Sequence, residues 1–573
     1  MNSRAEILEG GEFGPAAVAG NSGESLLIEL INSEDKDERM PSKGEPLTAA
    51  QKAILAAWID QGMEWSTTEY GGSTWNAPLA PRKVSLPRGK GIHKSKHPVD
   101  RILGNYLEEN ELEVPDVTSD FRFMRRVYLD VIGLLPNIDQ VDAFVKNSAS
   151  DKRGELVDAL LADNQSYAEH WMTFWNDSLR NDYKGTGYID GGRKQITQWL
   201  YGALYENKPY DRFARELIAP RRNAEGFIGG IKWRGAETAN QKIPIQAARS
   251  VSQVFLGVNL KCASCHDSFV NKWKLSDAWG MAGAFSKETL ELVRCDVPTG
   301  EMAETRFLWP ELGSIDGAAP VEEKRAQLAG LVTSPKNGRF ARVMTNRIWG
   351  KLMGRGLVEP MDSLDSQPWS EDLLDWLAKD FADNGYDVKH LIRTIVTSKT
   401  YQLKSDTRAP EDEYAFAGPV PRRLSVEQWY DAMGTVTNVW HEKPSFTPRK
   451  QDDSASIGTV RAWRVPADEL MRTLGRPNRE QIVLARETDY SQLHTLEMTN
   501  GNSLAKFLVR SAQNLLASGA ADRQEVFRLA LGRHVTMEEE KLIDNLGPTI
   551  SDPETMEDWL WMLFNHPEFQ MVF

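Results

Sequence analysis

Residues 245–267 read IQAARSVSQVFLGVNLKCASCHD, and the fold turns on how this stretch is understood. Its first part, Ile245 to Phe255, begins just after Pro244 and carries the apolar spacing of a helix, with proline where a helix start tolerates it. Its second part sets two cysteines and a histidine on a short loop that the helical run would hold against a hydrophobic wall. Helix leading directly into chemistry, with no strand between, predicts a helical frame.

The same period recurs outward in both directions. Phe121, Met124, Val127 and Val131 share a face, and Val157, Leu160 and Leu161 continue the pattern. Leu47 to Trp65 reads as a helix with a Thr48–Gln51 capping box, a face of Ile54, Leu55, Trp58 and Ile59, and Gly62 to stop it. Downstream, the spacing predicts helices over Phe340 to Met353, after the cap Ser370 (Leu373, Leu374, Leu377, Phe381), and over Leu424 to Val436 with a Ser425–Gln428 capping box. Alternating segments are few, and Gly226 to Gly235 is read as a short hairpin. The fold class is mainly α: a multi-domain helical protein with little β and no repeat of fixed period.

Five segments are expected: a small module over 1–66, a Pro/Gly linker over 67–97, a domain over 98–297 that carries the cysteine pair, a linker over 298–335, and a helical domain over 336–573. In the first linker, Arg82, Lys83, Arg88, Lys90, Lys94 and Lys96 occur with no acidic residue between Gly71 and Pro98, a composition suited to a solvated, extended chain, with docking on an acidic neighbour as the alternative.

The chain has 573 residues, with 68 basic and 82 acidic side chains and a net charge of -14. That balance argues against broad contact with nucleic-acid phosphates, so none is expected as a partner. No apolar stretch reaches the length needed to span a bilayer, so no transmembrane segment is expected. Three cysteines cannot form a disulfide framework in so long a chain, and the closeness of two of them marks a site.

Lys261 to Asp267, KCASCHD, contains the C-x-x-C-H pattern of c-type haem attachment. Two thiols three residues apart, Cys262 and Cys265, suit the two vinyl groups on one porphyrin edge, and His266 is then placed to ligate iron. A zinc site completed by Cys295, a thioredoxin-like redox pair, and two core cysteines beside a surface histidine are the competing readings. The second iron ligand is open: His170, in YAEHWMTFWND, is the candidate, Met281 an alternative, and a five-coordinate iron is a third case. Three polar groups are further candidates for a pocket or for inter-helix salt bridges: Arg180, Asn181 and Asp182; Arg476, Arg479, Arg486 and Glu487; and Arg342, Asn346 and Arg347 with Arg355 and Glu359.

RRVYLDVIGLLPNIDQVDAFV, YAEHWMTFWNDSLRND and CASCHDSFVNKWKLSDAWGMAGAF together resemble the planctomycete cytochrome C-like domain of unknown function. The segment from RFARVMTNRIWGKLMGRG to VTSKTYQL, with RRLSVEQW, LGRPNRE and LFNHPEF, is similar to the partner domain that follows it. SLLIELINSEDKDERMPSKGEPLTAAQKAILAAWIDQGMEW resembles the tail of a small planctomycete cytochrome c module, in which Met40 matches a distal iron ligand although the C-x-x-C-H of that module is missing. The resemblance implies covalent haem c and an exported, periplasmic or otherwise extracytoplasmic protein. No signal sequence is visible in Met1 to Gly14, so a truncated start is expected. Many relatives carry a second histidine where this chain has Ser268, which separates it from them at that position.

The leading expectation is a cytochrome-like protein in electron transfer or haem-dependent redox chemistry. If it is an enzyme, it is a haem-dependent oxidoreductase, with a redox protein or a small-molecule or glycan substrate as partner. The alternatives are a haem-free carbohydrate-binding or carbohydrate-processing protein, suggested by 18 tryptophans and the arginine clusters, and a partner-binding scaffold.

Overall fold

Caps and glycines place the helix ends close to where the sequence puts them. In the computed structural model, which describes residues 7–8, 10, 14–35, 38–41, 45–63, 77–88, 91–181, 189–190, 196–220, 223–233, 235, 237–361, 363–408, 414–448, 459–486, 491–519, 523–544 and 550–573, the chain is mainly helical. Among the described residues the strands form three separate two-stranded antiparallel ladders: Ile189–Asp190 with Lys232–Trp233, Glu291–Arg294 with Val297–Met302, and Arg422–Arg423 with Met571–Val572. Lys232–Trp233 therefore pairs with a distant strand, not within a local Gly226–Gly235 hairpin, because short extended runs find partners through tertiary packing.

The chain divides into two units, one of Met1–Asn76 with Asp267–Lys274 and one of Ala77–His266 with Leu275–Phe573. The smaller contains helices Leu26–Asn32 and Ala49–Asp60 around a core of Ile7, Ala17, Ile59 and Met63. The Thr48–Gln51 capping box forms: Gln51 N–H donates to Thr48 Oγ1 at 3.3 Å and Thr48 N–H to Gln51 Oε1 at 2.9 Å. Ile54, expected on the apolar face, is 68% exposed because that face is broader than the small core it covers. Trp65 lies outside the described residues, and the Met40 side chain is exposed.

In the larger unit, helices from both halves of the sequence share one core. Leu129 and Leu135 pack with Trp429, Met433, Phe507, Trp559 and Phe564. Tyr210 stacks on Phe340 with ring centroids 4.6 Å apart. The Asp120–Val131 helix is consequently buried on nearly all sides, not on one face, and Arg125 and Arg126 are inside with it.

Those guanidinium groups are satisfied by main-chain oxygens. Arg125 donates to the carbonyls of Ala530, Met571 and Phe569 at 2.9, 2.7 and 3.0 Å. Arg126 donates to those of Tyr401, Leu403 and Phe573. Such bonds remove most of the penalty for burying charge. The described part of the basic linker is also held: Arg82 reaches Asp375 at 2.7 Å and Asp372 at 2.6 Å, and Arg342 donates to the Pro78 carbonyl at 2.5 Å. Arg82 thus docks on the acidic face of the Glu371–Asp383 helix, whereas Lys83, Arg88, Lys94 and Lys96 are exposed.

Candidate functional site

The helix into the site spans Ile243–Leu256 and stops at Gly257, whose φ of +61° is left-handed. Val258 and Leu260 are then buried, forming the expected apolar wall. Beyond them the chain winds into a tight loop. Asn259 Oδ1 accepts the Lys261 N–H at 2.9 Å, and the Cys262 carbonyl accepts both the Cys265 and His266 N–H groups at 3.0 and 3.1 Å. Ala263 and Ser264, between the cysteines, are fully buried, while Cys262, Cys265 and His266 are half-buried and both thiols are free. Trp279 donates its indole N–H to the Ser264 carbonyl at 3.2 Å and closes the loop from below.

Cys295 reaches this loop from the Glu291–Arg294/Val297–Met302 hairpin. Its two-residue turn, Cys295–Asp296, has both φ values positive, +45° and +68°, as a tight hairpin turn requires. Cys295 N–H donates to the Cys265 carbonyl at 2.9 Å, and Asp296 Oδ1 accepts the Ala239 N–H at 2.7 Å. Among the described residues no three His, Cys, Asp or Glu side chains are grouped to hold a metal ion, so the four-ligand zinc set is not assembled. Nor does a strand precede the pair, as a thioredoxin-like site needs.

Asn240 and Arg249 also belong to the site and were not singled out from the sequence. Asn240 Nδ2 donates to Cys265 Sγ at 3.3 Å. Burial lowers the Arg249 pKa, while the nearby Cys265 and Cys262 thiols act in the opposite direction. The only signal for Arg249 was a charge within an otherwise uncharged helix.

His170 sits among different elements. Its ring packs against Trp171, with centroids 5.5 Å apart, and closely against Gly133, where a Cβ would lie 2.3 Å from Nδ1. Burial, then the charges of Arg461 and Lys351, hold it well below the usual histidine range, so it is a neutral imidazole. Met281 is fully buried in the Leu275–Ala282 helix.

Two of the three polar groups are internal networks: the Arg476–Arg486 group is made of ion pairs, and the Arg342–Glu359 group of an ion pair, hydrogen bonds and a ring contact, whereas Arg180 donates to the neutral Gln246. Asp177 takes Arg479 at 2.9 Å and Arg486 at 2.8 Å, and Arg486 grips Glu427 with two bonds of 2.6 and 3.0 Å. Arg342 pairs with Asp375, Arg347 caps the carbonyls of Val254 and Gln253, and Asn346 exchanges two bonds with Val358. Arg355 lies over the Tyr414 ring at 4.3 Å, and Glu359 accepts the Gly356 N–H. Asp182 and Glu487 lie outside the described residues. Among the described residues nine tryptophans are buried, six are half-buried and only Trp561 is exposed, so most of them serve the core.

The half-buried C-x-x-C-H loop is thus set on a mainly helical frame. Residues 98–289 match the family described as Protein of unknown function (DUF1549), residues 324–546 the family described as Protein of unknown function (DUF1553), and residues 1–44 Planctomycete cytochrome C. The chain thus carries these three modules in the order expected from its motifs. No curated protein and no solved structure matches it. No described helix is long and apolar enough to cross a membrane.

Proposed function

We propose that the protein is an extracytoplasmic c-type cytochrome-like redox protein, in which Cys262 and Cys265 hold a haem covalently and His266 ligates its iron. The observation that carries this reading is the pattern of burial in the loop: the two small residues between the cysteines face inward, and both thiols and the imidazole remain accessible. These residues fit covalent attachment. The cavity beside them, about 180 Å³, is smaller than the roughly 300 Å³ at which cofactor pockets begin, so it accommodates only part of a porphyrin.

When bound, the group supplies one-electron redox chemistry. The thiols retain it outside the cell, Trp279 limits water beneath the loop, and Asn240 fixes the Cys265 sulfur. The partner on this reading is a redox protein or a small-molecule substrate.

Protein exported into a haem-maturing periplasm should give a c-type pyridine haemochrome spectrum with one haem per chain and a haem stain that survives denaturation. Cys262→Ala with Cys265→Ala should abolish that stain. Haem that resists denaturation in the double variant would sink the assignment.

A further inference from the structure

The cavity beside the Cys262–His266 loop has a one-sided charge. Arg180, Arg249 and Lys261 line it, together with the amides of Asn240, Gln253 and Gln481, and no carboxylate among the described residues does. Arg249 and Gln253 lie four residues apart on one face of the Ile243–Leu256 helix, so both reach the same space. Arg180 has φ +54°, a left-handed conformation that a residue with a side chain rarely adopts, and its Nη1 donates to Gln246 Oε1 at 3.2 Å.

Arg249 differs from the other deeply placed arginines. Arg342, Arg461 and Arg486 pair with carboxylates, and Arg125 and Arg126 cap carbonyls. The Arg249 guanidinium makes no hydrogen bond or ion pair among the described residues. Lys261 has no ion pair among the described residues either. In a chain with net charge -14, where acidic residues are plentiful, two such cations beside a cavity with no carboxylate among its described lining residues leave room for an anion from outside.

We propose that this cavity is a carboxylate-binding subsite, with Arg249 as the main donor and Arg180 and Lys261 completing the positive wall. The planar guanidinium fork matches a carboxylate through two parallel hydrogen bonds, and the surrounding amides supply further donors. The carboxylate has two possible sources. One is a propionate of a haem on the neighbouring thiols, which rests on the function proposed above; the other is a free organic acid, which does not.

Arg249→Gln, with Arg249→Lys as the charge-retaining variant, separates them. In haem-bearing protein, a lower midpoint potential in Arg249→Gln that Arg249→Lys partly restores supports the propionate source. In haem-free Cys262→Ala/Cys265→Ala protein, calorimetric titration with malonate and with D-glucuronate tests the free acid; binding that weakens about tenfold or more in Arg249→Gln supports that source. Unchanged potential together with no binding of either acid, in variants whose thermal unfolding matches the parent, overturns the proposal. If the unaltered protein carries no haem, the haem reading alone fails and the titration decides the subsite.

Discussion

Glu169 shows how much one residue contributes to the pH response. Burial pushes its carboxyl up to about 7, against the pull of Arg461 and Arg464. The unfolded chain releases this proton near 4.5 and the folded chain only near 7. Its contribution to stability is therefore complete below about pH 4.5 and is lost as the pH rises to about 7. Glu169→Gln should remove that loss and stabilise the protein by roughly 1–3 kcal/mol at pH 8, with little effect at pH 4.5. Chemical denaturation at the two pH values checks it; an equal effect at both would count against the burial argument. Glu427 behaves oppositely. Burial would raise its pKa, but Arg486, Arg476 and Arg479 outweigh burial and hold it well below the carboxylate range. Its stabilisation is present above about pH 4.5 and fades as the pH falls. Glu427→Gln should cost about 3 kcal/mol at pH 7, read from the same denaturation curves, because Arg486 and Arg476 would keep their charges and lose a buried carboxylate partner.

At the scale of elements, the Gly257 stop matters most to the site, since it turns the Ile243–Leu256 helix into the cysteine loop. A Cβ there would lie 2.9 Å from Val343 Cγ2 and 3.1 Å from Leu364 Cβ, in a backbone conformation that side chains disfavour. Gly257→Ala should destabilise by about 2–3 kcal/mol, and Gly385→Ala, with φ +72° but nothing within 4 Å, by about 1 kcal/mol. Thermal unfolding of the pair tests this, and equal costs would exclude crowding at Gly257. The helices around Ser370 and Ser425 were legible in sequence because a capping side chain and an apolar period agree there. The Glu291–Met302 hairpin was not. Its Cys295–Asp296 turn lacks the glycine that marks tight hairpins, and its outer strand, Val297–Met302, is wholly exposed and shows no alternation. Arg249 was hidden for a related reason: a partnerless cation on a helix reads as surface until the cavity is seen.

Over the larger unit, the segments expected as separate domains fold around a common core, with Asp100 accepting the N–H groups of Lys399 and Thr400 at 2.9 and 2.8 Å across the sequence. Calorimetry should therefore find residues 98–289 and 324–546 melting together in one transition, and Arg126→Met should lower that whole transition. Two separable transitions for these segments would contradict a shared core. Apolar periodicity marked most of these helices but could not reveal their seam: it tells which face is buried, not against which helix, and the arginines that reinforce the seam are residues that pattern reading assigns to the surface.

That seam has an evolutionary consequence. Arg125 and Arg126 grip peptide carbonyls at Leu403, Ala530, Phe569 and Met571, and a carbonyl is the same whatever side chain its residue carries. Those positions are free to drift without a compensating change in the arginines. Across relatives, correlated substitutions should be weak along this junction, even though it joins the two halves, and mutual-variation maps would understate their intimacy.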